Sequence, residues 1–582
     1  MIESPSPAAA RQVSPAAGSS EPRETGWRRE WTKPAAFIGV SAGVLVTTVW
    51  WANSIAARVN GDLSHLFVFP RLFVAYDRPA AIHVALAFVV ALGAARLVPA
   101  ARFDRMARWI AENPVLFSLL AFVILAAGAY LAYDHYPLAL DEFAQYFQAE
   151  VFAHGRLSGQ YPPGLVRGLL PMPDQFFFFS ARTGRVVSGY WPGFPLLLTP
   201  FMFLHVPWVA NPAVGVVGIL LVRHLALKLM PETPQAAGWA MLFMLASPSF
   251  SINAISFYSM NAYLTLGLAY AALLLELTPG RLFAAGLVGS FALVQHNPFP
   301  HALFAIPWLV WLAIRRDRLR NLSWIGLGYL PLTVGILYGW WVFQRVLAGA
   351  PADVAAATES PLRIAATLGG HLGAFGLPDP SILTERALAT LKVFLWAVPG
   401  LVIIAAWGYW RLRGQTIARL LMLSAAITYA AYFLVVFDQG HGWGDRYFHP
   451  AWGVLPLFGA AWVTERREGF RWARLMGSLA AVSLLVLTPV RMMNAHGFIE
   501  LCEGQAPPRD PSKRQVSFVN VLPGGDRYYP DDAVRNDPFL RNPSIVLMSR
   551  GFGKDEQLIH RNYPHAKLVF WGSHGSVWDL NE

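Results

Sequence analysis

Two adjacent carboxylates, Asp141 and Glu142, follow an apolar run, residues 115–133, that is long enough to cross a lipid bilayer. If a helix begins at Leu140, one of its sides is apolar and another carries carboxylate and amide groups. The apolar side comprises Leu140, Phe143, Phe147 and Val151, and the polar side comprises Asp141, Gln145 and Gln148. This pattern predicts an interfacial helix with its apolar side against lipid and its acidic side open to a ligand in water. The alternative is a transmembrane helix that simply ends in acidic residues.

A second polar set lies in residues 439–450, between two later apolar runs. Its glycines allow the backbone to turn sharply and to approach a ligand closely. We expect four ionisable side chains to project into one small volume: His441, Asp445, Arg446 and His449. An arginine at the outer end of a span commonly extends to lipid headgroups. The neighbouring His, Asp and Tyr residues make a phosphate-binding role for Arg446 an equal alternative.

Two weaker signals complete the polar candidates. In residues 295–301, two prolines break a helix near the outer surface, and His296, Asn297 and His301 could satisfy the freed backbone groups. A zinc site is the alternative, although the spacing of these histidines does not match a helical pair of ligands. Arg182 and Arg185 precede a Pro-interrupted apolar segment, either as part of a solvated turn or as further outer cations.

Composition assigns the chain to the polytopic membrane proteins. Of its 582 residues, 55% are hydrophobic and 14% are charged, whereas ordinary globular domains carry about 25% charged residues. The net charge of +11 does not indicate nucleic-acid binding, because Lys and Arg lie mostly in short loops between apolar runs, the pattern that sets membrane orientation. The single cysteine, Cys502, excludes an internal disulfide and a cysteine-based metal cluster.

The order of apolar runs and basic loops predicts an all-α polytopic fold with about 13 transmembrane helices. Residues 1–33 are predicted to be a disordered cytoplasmic tail, and residues 34–113 to hold two N-terminal spans and a cytoplasmic loop. Residues 114–493 then form the transmembrane catalytic core, with a first large periplasmic loop at 134–207. Residues 494–582 contain three strand-like runs (516–521, 544–548 and 567–571) and one helix-like run (555–563), which predict a small periplasmic α/β domain. The N-terminus is therefore expected to be cytoplasmic and the C-terminus periplasmic.

A series of short motifs follows in order between residues 115 and 465. They are the acidic pair with residues 143–149, Gly155-Arg156-Leu157, the segment 183–198 ending in Pro-Leu-Leu-Leu, Asn211-Pro212, Ser247-Pro248 and Gly444-Asp445-Arg446-Tyr447. This series resembles the GT-C superfamily of membrane glycosyltransferases, in its bacterial branch with a family 39-type core, which includes protein O-mannosyltransferases and the aminoarabinose transferase of lipid A. Two features depart from that pattern. The two N-terminal spans are additional to the usual core, and His296-Asn297 replaces an Arg or Lys often seen there.

The resemblance implies a GT-C-like fold and an inverting glycosyltransferase of the bacterial inner membrane. Its donor would be a polyprenyl-phosphate sugar, and its acceptor a cell-envelope glycan, a lipid or a protein on the periplasmic side. Asp141 would be the catalytic base, with Glu142 as a second candidate or helper, and Arg446 would hold the donor phosphate. The full set of candidate phosphate- or substrate-binding residues is Arg446, Arg185, Arg182, Tyr146, His441, Asp445, His296, Asn297 and Tyr190. No metal ligand is assigned, but some members use a divalent metal, so a metal at the acidic pair or at the histidines is left open.

Two other functions would use the same class of lipid-linked glycan. A transporter or flippase is expected to show paired broken helices and charges near the middle of the membrane. Here the ionisable residues gather at the outer ends of spans and in one long outer loop, which favours catalysis. An O-antigen-type polymerase or ligase would share the substrate class but not the early acidic pair. The sequence identifies neither the sugar nor the acceptor.

Overall fold

A computed structural model describes residues 24–347, 374–465, 472–520 and 530–580, apart from residue 174. Most of the predicted disordered tail, residues 1–33, therefore lies outside the described residues. Its last part was predicted wrongly, because helix α1 begins at Glu24 and the candidate span within it begins at Thr32 rather than at Pro34.

Helices dominate the described residues. In the first half they are α1 Glu24–Arg58, α2 Val68–Leu72, α3 Arg78–Leu97, α4 Ala100–Glu112, α5 Pro114–Leu131, α6 Leu140–Ala153, α7 Gly193–Phe203, α8 Ala210–Leu229, α9 Gln235–Leu245, α10 Pro248–Ile255 and α11 Met260–Leu273. They continue as α12 Pro279–Leu293, α13 Phe299–Ala313, α14 Arg318–Leu332, α15 Gly339–Leu347, α16 Pro380–Leu395, α17 Leu401–Leu412, α18 Thr416–Tyr432, α19 Val454–Val463, α20 Trp472–Val482, α21 Thr488–Glu503 and α22 Phe552–Asn562. Short π-helical turns join α2 to α3, α14 to α15 and α20 to α21.

Six of these helical stretches, within the described part of the chain, are long and apolar enough to cross a membrane. They are Thr32–Arg58, Val68–Leu97, Pro114–Leu131, Pro207–Leu229, Arg318–Leu347 and Trp472–Glu503, and the bent pair α9–α10 would make a seventh. The remaining predicted spans correspond to apolar helices of 10–17 residues. The chain is thus a mostly helical, multi-pass membrane protein, and the total of about 13 spans stays a prediction.

The apolar stretch of α9 and α10 is divided, because the two helices meet at an angle of 62°. Pro248 has no N–H to donate to the preceding turn, so the helix breaks at Ser247. Serine hydroxyl groups satisfy backbone carbonyl groups near the break. Ser247 Oγ donates to Phe243 O (2.7 Å), and Ser483 Oγ donates to Ala246 O (2.6 Å). The break redirects the chain, and residues 256–259 follow α10 as a polar, buried connection.

Two small sheets lie outside the helical bundle. The first joins β1 Gly159–Gln160, β2 Phe177–Phe179 and β3 Arg185–Ser188 in the antiparallel order β1-β3-β2. The second has the order β5-β4-β7-β6, from β4 Gln515–Val519, β5 Ser544–Met548, β6 Lys567–Gly572 and β7 Gly575–Asp579, with β4 parallel to β5 and the other pairs antiparallel. The three C-terminal strands and the helix lie close to their predicted positions, and β7 was missed.

The apolar side of α6 is covered by protein, which corrects the prediction that it faces lipid. Phe143 and Phe147 pack edge-to-face on Phe177, and each is at most 7% exposed. The same buried cluster includes Phe518 and Trp578 of the C-terminal sheet. The amphipathic pattern of a helix shows that one of its sides packs on an apolar surface. It does not show whether that surface is lipid or a protein segment distant in the sequence.

The N-terminal helices are joined to the rest of the bundle by a buried charge cluster around Asp77, at the end of the π turn between α2 and α3. Its carboxylate accepts from Trp396 Nε1 (2.7 Å) and forms ion pairs with Arg491 (2.9 Å) and Lys392 (3.6 Å). All three charged side chains are at most 4% exposed. Buried charges within membrane spans are tolerated when they pair with one another, so Asp77 connects α2–α3 to α16 and α21.

We predict that Asp77→Ala strongly destabilises the protein, because two buried cations would lose their counter-charge. The free energy of unfolding should fall by about 3–5 kcal/mol. Cys502 is buried and is the single cysteine, so its reaction with a thiol-specific dye reports thermal unfolding in detergent.

Glu232→Ala, which removes an exposed carboxylate, is the matched control and should shift stability by no more than about 0.5 kcal/mol. If Asp77→Ala and the control have the same thermal unfolding midpoint, the anchoring role of the cluster is contradicted.

Candidate active site

A cavity of about 510 Å³ opens where the loops between helices meet the C-terminal segment. Distant parts of the chain line it: the start of α6, the segment after β3, the connection between α12 and α13, residues 432–447 and the turn Pro530–Ala533. Its polar lining residues are Asp141, Gln175, Tyr190, His296, Asn297, Tyr432, Asp438, His441, Arg446, Tyr447 and Asp532. Both predicted polar sets, around Asp141 and around Arg446, therefore reach one space.

Asp141 and Arg446 form a direct ion pair in this cavity. The distance from Arg446 Nη1 to Asp141 Oδ2 is 2.5 Å, and Tyr190 Oη donates to the other carboxylate oxygen. Burial alone would raise the pKa of Asp141, but the Arg446 guanidinium, with smaller contributions from His296 and Tyr190, lowers it to about 2. The carboxylate is therefore ionised at neutral pH, and the same pairing holds the pKa of Arg446 well above its usual value.

Glycines shape the loop that carries Arg446, as the sequence predicted. Gly440 and Gly444 have φ of 59° and 70°, a left-handed conformation that disfavours other residues. A Cβ at Gly442 would lie 3.0 Å from Arg446 Cδ. The guanidinium lies between the rings of Tyr258 (5.3 Å) and Tyr447 (5.6 Å). Its Nε is buried and has no hydrogen-bond partner among the described residues.

His296 lies in the same cavity, against Tyr190. The two rings stack with centroids 3.8 Å apart, and Gln145 Nε2 lies 3.3 Å from His296 Nδ1. The hydroxyl of Tyr263 accepts from the backbone N–H groups of His296 (3.0 Å) and Asn297 (2.9 Å). Burial lowers the pKa of His296 to about 4, so the imidazole is neutral at neutral pH. Tyr263 thus satisfies backbone groups for which the side chains of His296, Asn297 and His301 were predicted. Of those three, Asn297 does accept a backbone hydrogen bond, from Phe299 N (3.1 Å).

Glu142 does not line the cavity. Its side chain is fully buried, and its carboxylate accepts from Ala139 N (3.0 Å), Phe257 N (2.8 Å) and Tyr133 Oη (3.0 Å). The bond to Ala139 is the return half of a capping box, in which the third helical residue satisfies the backbone before the helix. Burial raises the pKa of Glu142 to about 7, against the effect of these three donors. The contacts give Glu142 a role in holding the start of α6 against the connection after α10.

The structure separates the other predicted residues from the pair. Arg182 and Arg185 are exposed and do not line the cavity, and Arg185 Nε donates to Ser158 Oγ (3.0 Å). Tyr146 packs on Phe257 at 5.6 Å, also outside the lining. Asp445 turns away and accepts from Phe448 N (3.2 Å). The remaining candidates, His441, Asn297 and Tyr190, line the cavity with Asp141.

His301, which belongs to the alternative zinc site, does not line the cavity. Its Nε2 is hydrogen-bonded to Tyr329 Oη at 2.7 Å. Over the described ranges, no group of three or more His, Cys, Asp or Glu side chains could hold a metal ion. The metal left open at the acidic pair or the histidines therefore has no set of three such ligands in this part of the chain.

Asp532 was not predicted. It reaches the cavity from the turn Pro530–Ala533, and its Oδ2 lies 3.1 Å from His441 Nε2. No signal in the sequence connects an acidic turn in the C-terminal segment with the glycine-rich loop at 439–450, because their proximity depends on how the C-terminal sheet packs.

Comparisons with known proteins place this geometry in a structural class. No family profile and no curated protein matches the sequence. The crystal structure of ArnT from Cupriavidus metallidurans bound to undecaprenyl phosphate is similar, with a TM-score of 0.52 and 12% identity over 80% of this chain and 98% of that chain. The apo form of that ArnT gives a TM-score of 0.49 with 12% identity over 80% and 97% of the two chains. The oligosaccharyltransferase of Archaeoglobus fulgidus, in complex with zinc and sulfate, gives 0.38 with 13% identity over 66% and 55%.

The first similarity extends over nearly the whole length of the related structure, and its low identity limits the conclusion to the fold. This chain shares the overall fold of that ArnT structure.

Proposed function

We propose that this protein is a glycosyltransferase that takes a sugar from a polyprenyl-phosphate donor and attaches it to a hydroxyl group at the outer face of the bacterial inner membrane. The observation that carries the proposal is the contact between Asp141 and Arg446, a carboxylate and a cation in one cavity of a GT-C fold. The similar ArnT structure contains undecaprenyl phosphate, which supports a lipid phosphate as the carrier here. The cavity and the C-terminal sheet would face the periplasm, and the N-terminus the cytoplasm.

Arg446 would bind the phosphate of the donor. It is the one Lys or Arg side chain that lines the cavity within the described residues, and it is 8% exposed. Hydrogen bonds from a guanidinium to a phosphate are strong because both partners are charged, and more so away from water. The phosphate gains negative charge as the sugar leaves, so a fixed cation at this position stabilises the transition state.

Asp141 would act as the general base. The acceptor oxygen forms a bond to the anomeric carbon while the bond from that carbon to the phosphate oxygen breaks, and the lipid phosphate leaves with the electron pair. The proton of the acceptor hydroxyl passes to Asp141. Attack from the face opposite the leaving phosphate inverts the anomeric configuration. Tyr190 orients the carboxylate through its hydrogen bond, and His296 supports Tyr190 by stacking.

The ion pair links donor binding to base strength. While Arg446 is paired only with Asp141, the pKa of Asp141 is about 2, and such a carboxylate is a weak base. A phosphate bound to Arg446 would neutralise part of its charge and compete for its N–H groups. The pKa of Asp141 would then rise, so the base becomes effective when the donor is in place.

We predict that Asp141→Asn abolishes sugar transfer but not folding. Loss of a general base should lower the rate of donor consumption by about 10²–10⁴-fold, because the amide cannot take the proton. The measurement is consumption of polyprenyl-phosphate sugar by membranes that contain the variant.

Glu150→Gln is the matched control for this experiment, since Glu150 belongs to the same helix and pairs with Arg541 outside the cavity lining. Full turnover by Asp141→Asn would end the assignment of the base.

We predict that Arg446→Ala weakens binding of undecaprenyl phosphate by about 10- to 100-fold, because it removes charged hydrogen bonds to the phosphate. Arg185→Ala should leave the affinity unchanged, since Arg185 is exposed and does not line the cavity. Binding to the purified protein in detergent measures both variants. A larger loss for Arg185→Ala than for Arg446→Ala would reverse the assignment of the phosphate site.

We predict that the pH profiles of kcat and of kcat/KM fall at different pH values on their acid side. Asp141 must be ionised to accept a proton, so the rate falls as the pH drops through its pKa. In the free enzyme that pKa is about 2, and kcat/KM should show no limb from this group above about pH 4. In the donor complex the raised pKa should move the limb of kcat to higher pH. Identical limbs in the two profiles would contradict the proposed exchange of partners at Arg446.

A further inference from the structure

The C-terminal segment contributes a side chain to the cavity. Asp532 lies on the 3₁₀ turn Pro530–Ala533 and is 7% exposed. Its carboxylate is 3.1 Å from His441 Nε2, and both residues line the space that contains Asp141 and Arg446. Neither the ion pair nor the capping contacts of α6 require a carboxylate at this position.

The turn that carries Asp532 is fixed to the start of α6. Arg535 Nε donates to the backbone O of Asp532 (2.5 Å), and Nη2 donates to Leu138 O (2.6 Å). The guanidinium also lies 4.1 Å from the ring of Tyr136. Asp141 follows Leu138 by three residues. Arg535 therefore fixes the position of Asp532 relative to Asp141.

The charge of Asp532 limits what it can bind. Arg446 is the one Lys or Arg of the cavity lining in the described chain. Asp532 adds a further carboxylate to Asp141 and Asp438, and it repels a phosphate that binds there. A carboxylate beside a single imidazole nitrogen keeps lone pairs that accept hydrogen bonds from hydroxyl groups. Hydroxyl groups are the main polar groups of a sugar, and they are uncharged.

We propose that Asp532, 3.1 Å from His441 and fixed through Arg535, binds hydroxyl groups of a sugar in this cavity, so that the C-terminal segment takes part in substrate recognition. The inference rests on the proposed function and assigns a specificity role within it. The sugar is either the one transferred from the donor or one that belongs to the acceptor, since both present the same hydroxyl chemistry.

The test compares Asp532→Asn with Asp531→Asn, which changes the adjacent carboxylate outside the cavity lining. Affinity for undecaprenyl phosphate, which has no sugar, is measured first on purified protein. Transfer is then followed in membranes while either a lipid extract that supplies the donor or an envelope fraction that supplies the acceptor is varied.

We expect Asp532→Asn to bind undecaprenyl phosphate within about twofold of the wild type and to need at least about tenfold more of one substrate for half-maximal transfer. A shift in the envelope-fraction titration assigns Asp532 to the acceptor, and a shift in the lipid-extract titration assigns it to the donor sugar. His441→Gln should shift the same titration in the same direction, which provides a second variant.

Three results would overturn the inference: unchanged titrations for Asp532→Asn, a parallel loss of undecaprenyl phosphate affinity, or an equal effect of Asp531→Asn. A wild-type protein that neither binds undecaprenyl phosphate nor consumes donor would instead refute the proposed function itself. The two failures are therefore distinguishable.

Discussion

The ion pair between Asp141 and Arg446 is the interaction on which the site depends. Removing either charge from water costs several kcal/mol, and the cost is recovered only when the partner is close and further hydrogen bonds are present. Here the partner is 2.5 Å away, and Tyr190 supplies the further bond. The two residues are 305 positions apart, so the pair depends on packing between distant segments of the chain.

Helix α6 is the element that joins the parts of the site. Glu142 ties its first turn to the connection after α10, and Asp141, one residue earlier, points into the cavity. Its apolar side packs on Phe177 and on the C-terminal sheet. At its other end, Glu150 pairs with Arg541 at 2.8 Å. The two adjacent carboxylates therefore serve different purposes, because successive residues on a helix point about 100° apart.

The groups around these two buried neighbours give them different pKa values. A guanidinium beside Asp141 favours its charged form, whereas Glu142 has backbone and hydroxyl donors but no cation in contact. The pKa is accordingly about 2 for Asp141 and about 7 for Glu142. Groups with pKa values driven apart by their surroundings are typical of sites that divide structural, acid and base roles among similar residues. The division favours Asp141 as the group that meets substrate and Glu142 as the group that holds the helix.

The sequence by itself determined the membrane class, several helix and strand positions, and the ordered motifs that place Asp141 early and Arg446 late. These features follow from local composition and spacing, which need no knowledge of distant partners. Only the tertiary structure decided which polar residues share the cavity. Arg185 and Glu142 were the weaker candidates beside Arg446 and Asp141, but residue type alone did not exclude them from the site, and Asp532 gave no signal. Contacts between distant segments depend on how helices cross and where the C-terminal sheet packs, and no local pattern in the chain encodes those distances.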